Sequence, residues 1–558
     1  MFSILRSAAQ RPAIVCRVRP IIASHKPLLL CKYATIPSLY ADVPIPDDIS
    51  LADFVIRGTS DFGDRVALVD HVSGRSLTYQ QVAAQARNIA GALQARGLRK
   101  GEVFMVLSPN VPEFPVAFLG ITMAGGIVTT ANPNYTTPEL QHQASDSGAQ
   151  YLLTTPELLY HVAELKHTFK EVFVMGEGEG ATPFADLLLT SNEPTAISIH
   201  PKTDLVALPY SSGTTSLPKG VCLTHYNIIA NLCQYDNPAF NRLTAEDSIL
   251  GLLPFFHIYG LTIVLFASLM KGGRVVTLQK FEPMVFLDAL QQRQISMAYV
   301  APPIVHFLAK HPVVDQYDLS HLRDVFSGAA PLGMGLAQTC AERLHTQMRQ
   351  GYGMTEMSPV SHVLSFDARH KHNSIGRLVS NMTLKIVDPE TKAAVPRGET
   401  GELWLKGPNI MPRYLNKPEA TAETIDEEGY LHTGDVGYMD EDGDCYIVDR
   451  MKELIKVKGF QVAPAEIEDI LQKHPAVVDC GVIGIPFEGD EAPKAFLVLQ
   501  PGVEGTPALN EDIIHFAAER TARYKKIRAI SYVDAIPKLP SGKIVRRRLR
   551  ELHAAEAV

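Results

Sequence analysis

The sequence predicts an α/β protein: a large N-terminal layered α/β domain with a β-rich subdomain, followed by a small hinged C-terminal α+β domain. Three observations predict it. At 558 residues and roughly 100 to 200 residues per domain, the chain has room for about three to five structural units. From Ser50 to about His200, helical spacings alternate with short apolar runs, the pattern of parallel strands layered with helices. Near Gly429 the texture changes to closely spaced β-like runs, with a domain boundary at Asp449 and Arg450. The expected divisions are 1–41 for a leader, 42–449 for the large domain and 450–558 for a mobile lid.

In order along the chain, "YQQVAAQARNIAGALQARGL" sets Val82, Ala86, Ile89, Ala90, Leu93 and Leu98 at helical spacing, and "EVFMVLSPN" supplies a buried strand. Helix and apolar strand recur in "VAFLGITMAGGIVTTANP" and in "TPELQHQASDSGAQYLLTT". No period of 20 to 50 residues repeats, which argues against a solenoid. The apolar run from Leu261 to Met270 is flanked by Lys271 and Arg274 and is about half the ~20 residues needed to cross a bilayer, so it reads as core. Beyond Gly429, the turn Asp440 to Asp444 separates two strands of a hairpin. Pro464 and Glu466 open a helix with Ile467, Ile470 and Leu471 on one face. The strands "VVDCGVIGI" and "KAFLVLQ" and a helix from Glu511 to about Thr521 complete the small domain.

A composition of 46% hydrophobic and 20% charged residues, with mean hydropathy +0.02, argues against a disordered chain and against a multispan membrane protein. The net charge of −8 argues against a surface shaped for nucleic acid. No acid precedes Asp42, whereas Arg6, Arg11, Arg17, Arg19, Lys26 and Lys32 do. That composition fits a mitochondrial transit peptide, with a basic tail of a cytoplasmic protein as the alternative. The final "AAEAV" does not match a peroxisomal Ser-Lys-Leu address. Seven cysteines without a CxxC pair suggest free thiols in a reducing compartment.

The segment "YSSGTTSLPKGV", Tyr210 to Val221, lies between an apolar run and a helix-like stretch. Its hydroxyls, glycines and Lys219 suit a nucleotide-phosphate loop, although such composition also fits a flexible linker. It is not a Walker A loop, because Pro218 stands at the second glycine and Gly220 at the magnesium-binding hydroxyl. The order of its residues resembles the signature of the adenylate-forming superfamily, which includes acyl-CoA synthetases, 4-coumarate CoA ligases, luciferases and peptide-synthetase adenylation domains. "QGYGMTEMSPV", "GELWLKGPNIMPRYLNKPEAT", "GYLHTGDVGYMDEDG", "IVDRMKELIKVKGFQVAPAEIE" and "PKLPSGKIVRRRL" follow in that family's order, so the resemblance runs from about Leu51 to Leu549.

The resemblance implies ATP-dependent activation of a carboxylic acid as acyl-AMP, then transfer to coenzyme A, with Mg2+ as the metal. It implies phosphate contacts from Ser211, Ser212, Gly213, Thr214, Thr215, Lys219 and Thr355, and a metal-side carboxylate in Glu356. It implies an adenine frame of Gln350, Gly351, Tyr352 and Gly353, and ribose contacts from Asp435 and Arg450. Lys543 is implied as the mobile catalytic lysine, a point charge that can arrive and leave, and His257 as a gate beside the acyl carboxylate. Lys456 and Gln461 are implied to support nucleotide or thiol, Lys458 and Gly459 to line the CoA entry, and Lys280 to contact CoA phosphate. The implied acyl pocket comprises Tyr259, Ile263, Ala329, Gly353, Pro359 and Val360.

Two residues depart from the family pattern. Ile263 is more apolar than usual in aryl ligases, which keeps medium-chain acids beside 4-coumarate-like ones. Ser216 replaces a loop glycine, at a cost of about 1 kcal/mol if φ is positive there. Other acceptors (a carrier protein, an amine or oxygen) and a catalytically silent ligand-binding homologue are the alternative functions. Expected partners are therefore small molecules, with neither nucleic acid nor stable membrane insertion.

Overall fold

The structure is a computed structural model that describes residues 35–189, 193–211, 218–368, 371–457, 460–487, 490–539 and 542–556. Most of the leader, residues 212–217 of the phosphate-loop segment (with Ser216), Lys458 and Gly459 lie outside the described residues.

Local signals start most helices where the sequence places them. Thr78 and Gln81 form a capping box at the head of Tyr79–Ala95, and Thr224 and Asn227 do so for His225–Tyr235. Tyr79–Ala95 buries Val82, Ala86, Ile89, Ala90 and Leu93. It packs beside the helix Glu113–Met123, where Gly120 lies so close to Ile89 that a β-carbon would sit 2.6 Å from its side chain.

Those helices cover two nine-stranded sheets. The first carries the parallel strands Ile127–Ala131, Val103–Leu107, Ala149–Thr154 and Glu171–Val174 at its centre, and the strands Lys219–Thr224 and Tyr210–Ser211 at one edge. The second is parallel through Gln347–Gly353, Asp324–Ser327, Met297–Val300, Ser248–Gly251, Arg274–Thr277 and Val66–Asp70. Its Val360–Val363 edge is antiparallel. One continuous apolar core, including Phe104, Phe118, Ile228, Phe266 and Phe326, joins the two sheets. The run from Leu261 lies within this core, as Tyr259–Phe266, a helix of π type, followed by Ala267–Met270. Among the described residues no helix is long and apolar enough to cross a membrane.

The β-rich part is a five-stranded antiparallel sheet that ends in Leu431–Met439 and Cys445–Arg450, joined by the hairpin turn. Its outer strand, Ile36–Pro37, pairs with Thr383 and Leu384. Packing therefore begins before residue 42: absence of acids does not mark where burial of Ile36 starts. At the other end Arg450 is still paired with Asp435, and the chain leaves the sheet at Met451. The small domain has the strands Val477–Phe487, Asp490–Leu499 and Ala529–Tyr532, with Pro464–Leu471 against them. Its second helix runs Pro507–Ala518 rather than from Glu511, because Thr506 accepts from Leu509 N and Pro507 occupies the first turn. The five cysteines among the described residues are free.

Candidate active site

The three sheets of the large domain and the lid bring polar residues to one place. Tyr352 stands next to the end of the Gln347–Gly353 strand, and its hydroxyl donates to Asp435 Oδ2 at 2.6 Å. Asp435 is almost fully buried and its Oδ1 lies 3.0 Å from Arg450 Nε. The irregularity in the Leu431–Met439 strand just before it, opposite Glu402 to Trp404, requires Gly434, at φ +69. Gly434 N donates to Glu402, and Thr433 Oγ1 accepts from Asp435 N. Burial and the adjacent Asp435 carboxylate push the Tyr352 phenol far above its usual range, so it remains a donor. Asp435 in turn raises the Arg450 guanidinium.

A second polar group lies beside this one. Glu356, in the tight turn Thr355–Met357, is buried, and its Oε1 accepts from Ser211 Oγ at 3.1 Å and Tyr414 OH at 2.8 Å. Lys219 Nζ stands 4.1 Å from the centre of the Tyr414 ring. Ser211 and Lys219 face each other across an antiparallel pair, so both ends of the phosphate-loop segment stand beside Glu356. A buried carboxylate whose bonds among the described residues fall on one oxygen fits a magnesium ligand, since hard cations take carboxylate oxygen.

Lys543 comes from the lid. Its turn is closed by Leu539 N to Lys543 O at 2.9 Å and Gly542 N to Leu539 O at 2.8 Å. Burial, then repulsion from Arg450, push the ammonium down to about 8, against attraction from Asp435 and Glu453. Behind it Arg546 holds Glu468 by two bonds, 2.8 and 2.9 Å. The Asp449 carboxylate accepts from Arg450 N and Ala465 N, tying the hinge to the lid helix.

His257 keeps contact with solvent yet is surrounded by protein, and that desolvation pushes its imidazole down to about 4. Its Nδ1 accepts from Tyr259 N at 3.3 Å, which leaves the proton of the neutral ring on Nε2. The Tyr259 ring covers Gly328, where a β-carbon would be 2.8 Å from Cε1. Ile263 is fully buried, Val360 nearly so, and Ala329 is exposed at the strand end with φ +71.

Ser211, Lys219, Gln350, Gly351, Tyr352, Gly353, Thr355, Glu356, Asp435, Arg450 and Lys543 thus cluster where the three sheets of the large domain meet the lid. Gln350 braces the cluster from behind: its amide donates to the carbonyls of His372 and Leu332 and is not turned outward. Lys456 and Lys280 share no described contact with the group. Lys456 is an exposed residue of the Ile455–Val457 strand, and Lys280 pairs with Glu282 at 2.8 Å with 77% of its side chain exposed. Gln461 contributes its backbone to the facing strand Phe460–Val462, its side chain being outside the described residues, as are Ser212, Gly213, Thr214 and Thr215. Sequence reasoning missed Tyr414 and Glu453. Tyr414 lay inside a quoted motif but nothing in its composition marked a bond to Glu356.

The family profile described as AMP-binding enzyme matches residues 57–415, and that described as AMP-binding enzyme C-terminal domain matches residues 466–543. The chain is 42% identical over 531 residues to 4-coumarate–CoA ligase-like 1 of Arabidopsis thaliana, covering 92% of this chain and 96% of that protein. It is 41% identical over 531 residues, with the same coverage of both chains, to 4-coumarate-CoA ligase 1 of Narcissus pseudonarcissus. Among solved structures, the anthranilate CoA ligase AuaEII in complex with anthranoyl-AMP superposes with TM-score 0.85 at 29% identity, over 92% of this chain and 99% of that one. ATP-bound MatB from Rhodopseudomonas palustris superposes with TM-score 0.82 at 27% identity, over 90% and 99%. With both of its domains matched in chain order and relatives above 40% identical along 92% of its length, the chain belongs to the AMP-binding enzyme family.

Proposed function

We propose that the protein is an ATP-dependent acid–CoA ligase acting on an aryl, 4-coumarate-like acid or a medium-chain acid. The observation that carries this reading is the convergence of Ser211, Lys219 and Glu356 with Asp435, Arg450 and the lid's Lys543.

In the first half-reaction an acid oxygen attacks the α-phosphorus of ATP; the new O–P bond forms as the bond to pyrophosphate breaks, giving acyl-AMP. Asp435 accepts from the ribose hydroxyls, and Arg450 holds its carboxylate in place. Lys219 and Lys543 offset the crowded negative charge, which is strongest in the transition state. Mg2+ held by Glu356 would add further charge compensation at the phosphates. His257, neutral with its proton on Nε2, donates toward the acid without adding charge. In the second half-reaction the CoA thiol sulfur attacks the acyl carbon, losing its proton, and AMP leaves. In the proposed cycle the lid turns about Asp449 so that Lys456, Lys458, Gly459 and Gln461 replace Lys543, with Lys280 toward the CoA phosphates. The Tyr259 ring over Gly328 supports a flat acid, whereas the buried Ile263 supports an apolar one. The proposal places the protein in mitochondria, on the basic leader alone.

Pyrophosphate release measured across cinnamates, benzoates and C4 to C12 fatty acids, with and without CoA, tests the reading. One acid class should support release, and CoA should accelerate AMP formation. Adenylation that CoA leaves unchanged would transfer the assignment to another acceptor.

A further inference from the structure

The lid meets the large domain at two helix beginnings. One belongs to Pro302–Lys310. Gly542, at φ +83, sits so close to Pro303 that a β-carbon would lie 2.7 and 2.9 Å from its ring carbons, and Lys543 follows immediately. The other belongs to Met334–Leu344, 11 residues long, whose N-cap is Gly333 and has no side chain to accept from the first-turn N–H groups. The space that a β-carbon at Gly333 would take is filled by Oδ1 of Asp469, from the lid helix Pro464–Leu471. The other oxygen of Asp469 is held by Lys473, one turn on, at 2.7 Å. Negative charge is favoured where unpaired N–H groups begin a helix. Neither Asp469 nor Gly333 belongs to the residues that handle the nucleotide.

We propose that Asp469 is a positioning residue for the closed lid: its carboxylate, set against the Gly333 end of the Met334–Leu344 helix, holds the lid at the angle that delivers Lys543 to Asp435 and Arg450. This rests on the proposed function, in which the same lid must leave that angle before the thiol attacks. Gly333 and Asp469 are matched parts. The absent β-carbon makes room for the carboxylate, and the carboxylate sets negative charge beside a helix start whose N-cap has no side chain of its own. Because the contact belongs to the closed arrangement, its loss weakens adenylation and spares thioester formation.

The two half-reactions separate this role from a general effect on folding. In Asp469→Ala and Asp469→Asn, pyrophosphate exchange should fall about two- to fivefold, the range of an exposed carboxylate at a helix start. Thioester formation from supplied acyl-AMP and CoA should stay within about twofold of the parent. Gly333→Ala, whose φ of −66 an alanine tolerates, should copy the exchange defect by crowding the carboxylate, and Asp469→Glu should recover part of it. Distances between spin labels at Val72 and Val503, both exposed, should show a smaller closed fraction in Asp469→Ala. An equal fall in both half-reactions, or an unchanged exchange rate and closed fraction, overturns the proposal. If the parent protein supports neither half-reaction the ligase reading fails, while the label distances still decide the role of Asp469.

Discussion

A lysine held near neutrality makes the first half-reaction sensitive to alkaline pH, and the sensitivity can be worked from the structure. Burial and Arg450 hold the Lys543 ammonium at about 8, so in the free protein about nine-tenths of it is charged at pH 7, about one-half at pH 8 and about one-tenth at pH 9. Charge is what the step uses. The value of kcat/KM for ATP-dependent adenylation, which reports free enzyme, should therefore fall about tenfold per pH unit above pH 8. Bound nucleotide adds negative charge near the ammonium and raises its pKa, which moves the corresponding limb of kcat to higher pH. Lys543→Arg keeps a charge at all these pH values and should lose the limb while remaining slower than the parent. Lys543→Ala should cost about 100- to 1000-fold, the range for removing one preorganised charge-stabilising donor. Pyrophosphate exchange from pH 6.5 to 9.5 on the three proteins is the assay. A flat kcat/KM profile in the parent, or the same limb in Lys543→Arg, refutes the reasoning.

Asp435→Asn removes the charge that Arg450 and Tyr352 share; Arg450 is one-third exposed, so KM for ATP should rise about tenfold rather than binding being abolished, read by initial rates at varied ATP. Tyr414→Phe keeps the ring beneath Lys219 and deletes the 2.8 Å bond to Glu356, about 1 kcal/mol and so about fivefold in adenylation rate. Glu356→Gln preserves an acceptor for Ser211 and Tyr414 without the charge, so adenylation should fall further than in Tyr414→Phe, with a higher Mg2+ concentration needed for half-maximal rate. N-terminal sequencing of protein from intact cells should find a start beyond Met1 if the basic leader is removed on import.

Elements set by neighbours in sequence were legible, and relations between distant residues were not. The capping box at Thr78 and the apolar spacing after it involve residues within one or two turns, so the helix could be read directly. The helix expected from Glu511 begins one turn earlier, where Thr506 accepts from Leu509 N and Pro507 occupies the first turn. At the site, motif order identified Glu356, Asp435 and Lys543 but not what holds each of them. Tyr414 is 58 residues from Glu356 and reaches it through the edge strand Arg413–Tyr414 beside Lys219–Thr224, a pairing with no local signature. Gln350 was read as part of an adenine frame from its place in a motif; its buried amide is spent on two carbonyls, which only the packing of that strand decides.

Dividing the charges between two bodies gives the chemistry an order. Lys219, Glu356, Asp435 and Arg450 are fixed on the large domain, whereas Lys543 arrives on the lid. Closing the lid without nucleotide puts an ammonium beside Arg450 and out of water, and the depressed pKa of Lys543 measures that opposition. Asp469 against the Gly333 helix start pulls the other way, and the triphosphate of ATP reverses the unfavourable part by supplying anions for Lys543 to meet. Closure is then tightest while ATP and acid are bound. In the proposed cycle, once pyrophosphate leaves, most of that negative charge goes with it, Lys543 is again a buried cation beside Arg450, and the lid is released for the thiol step. Nucleotide analogues should therefore order themselves by charge, with the closed fraction larger for a non-hydrolysable triphosphate than for AMP.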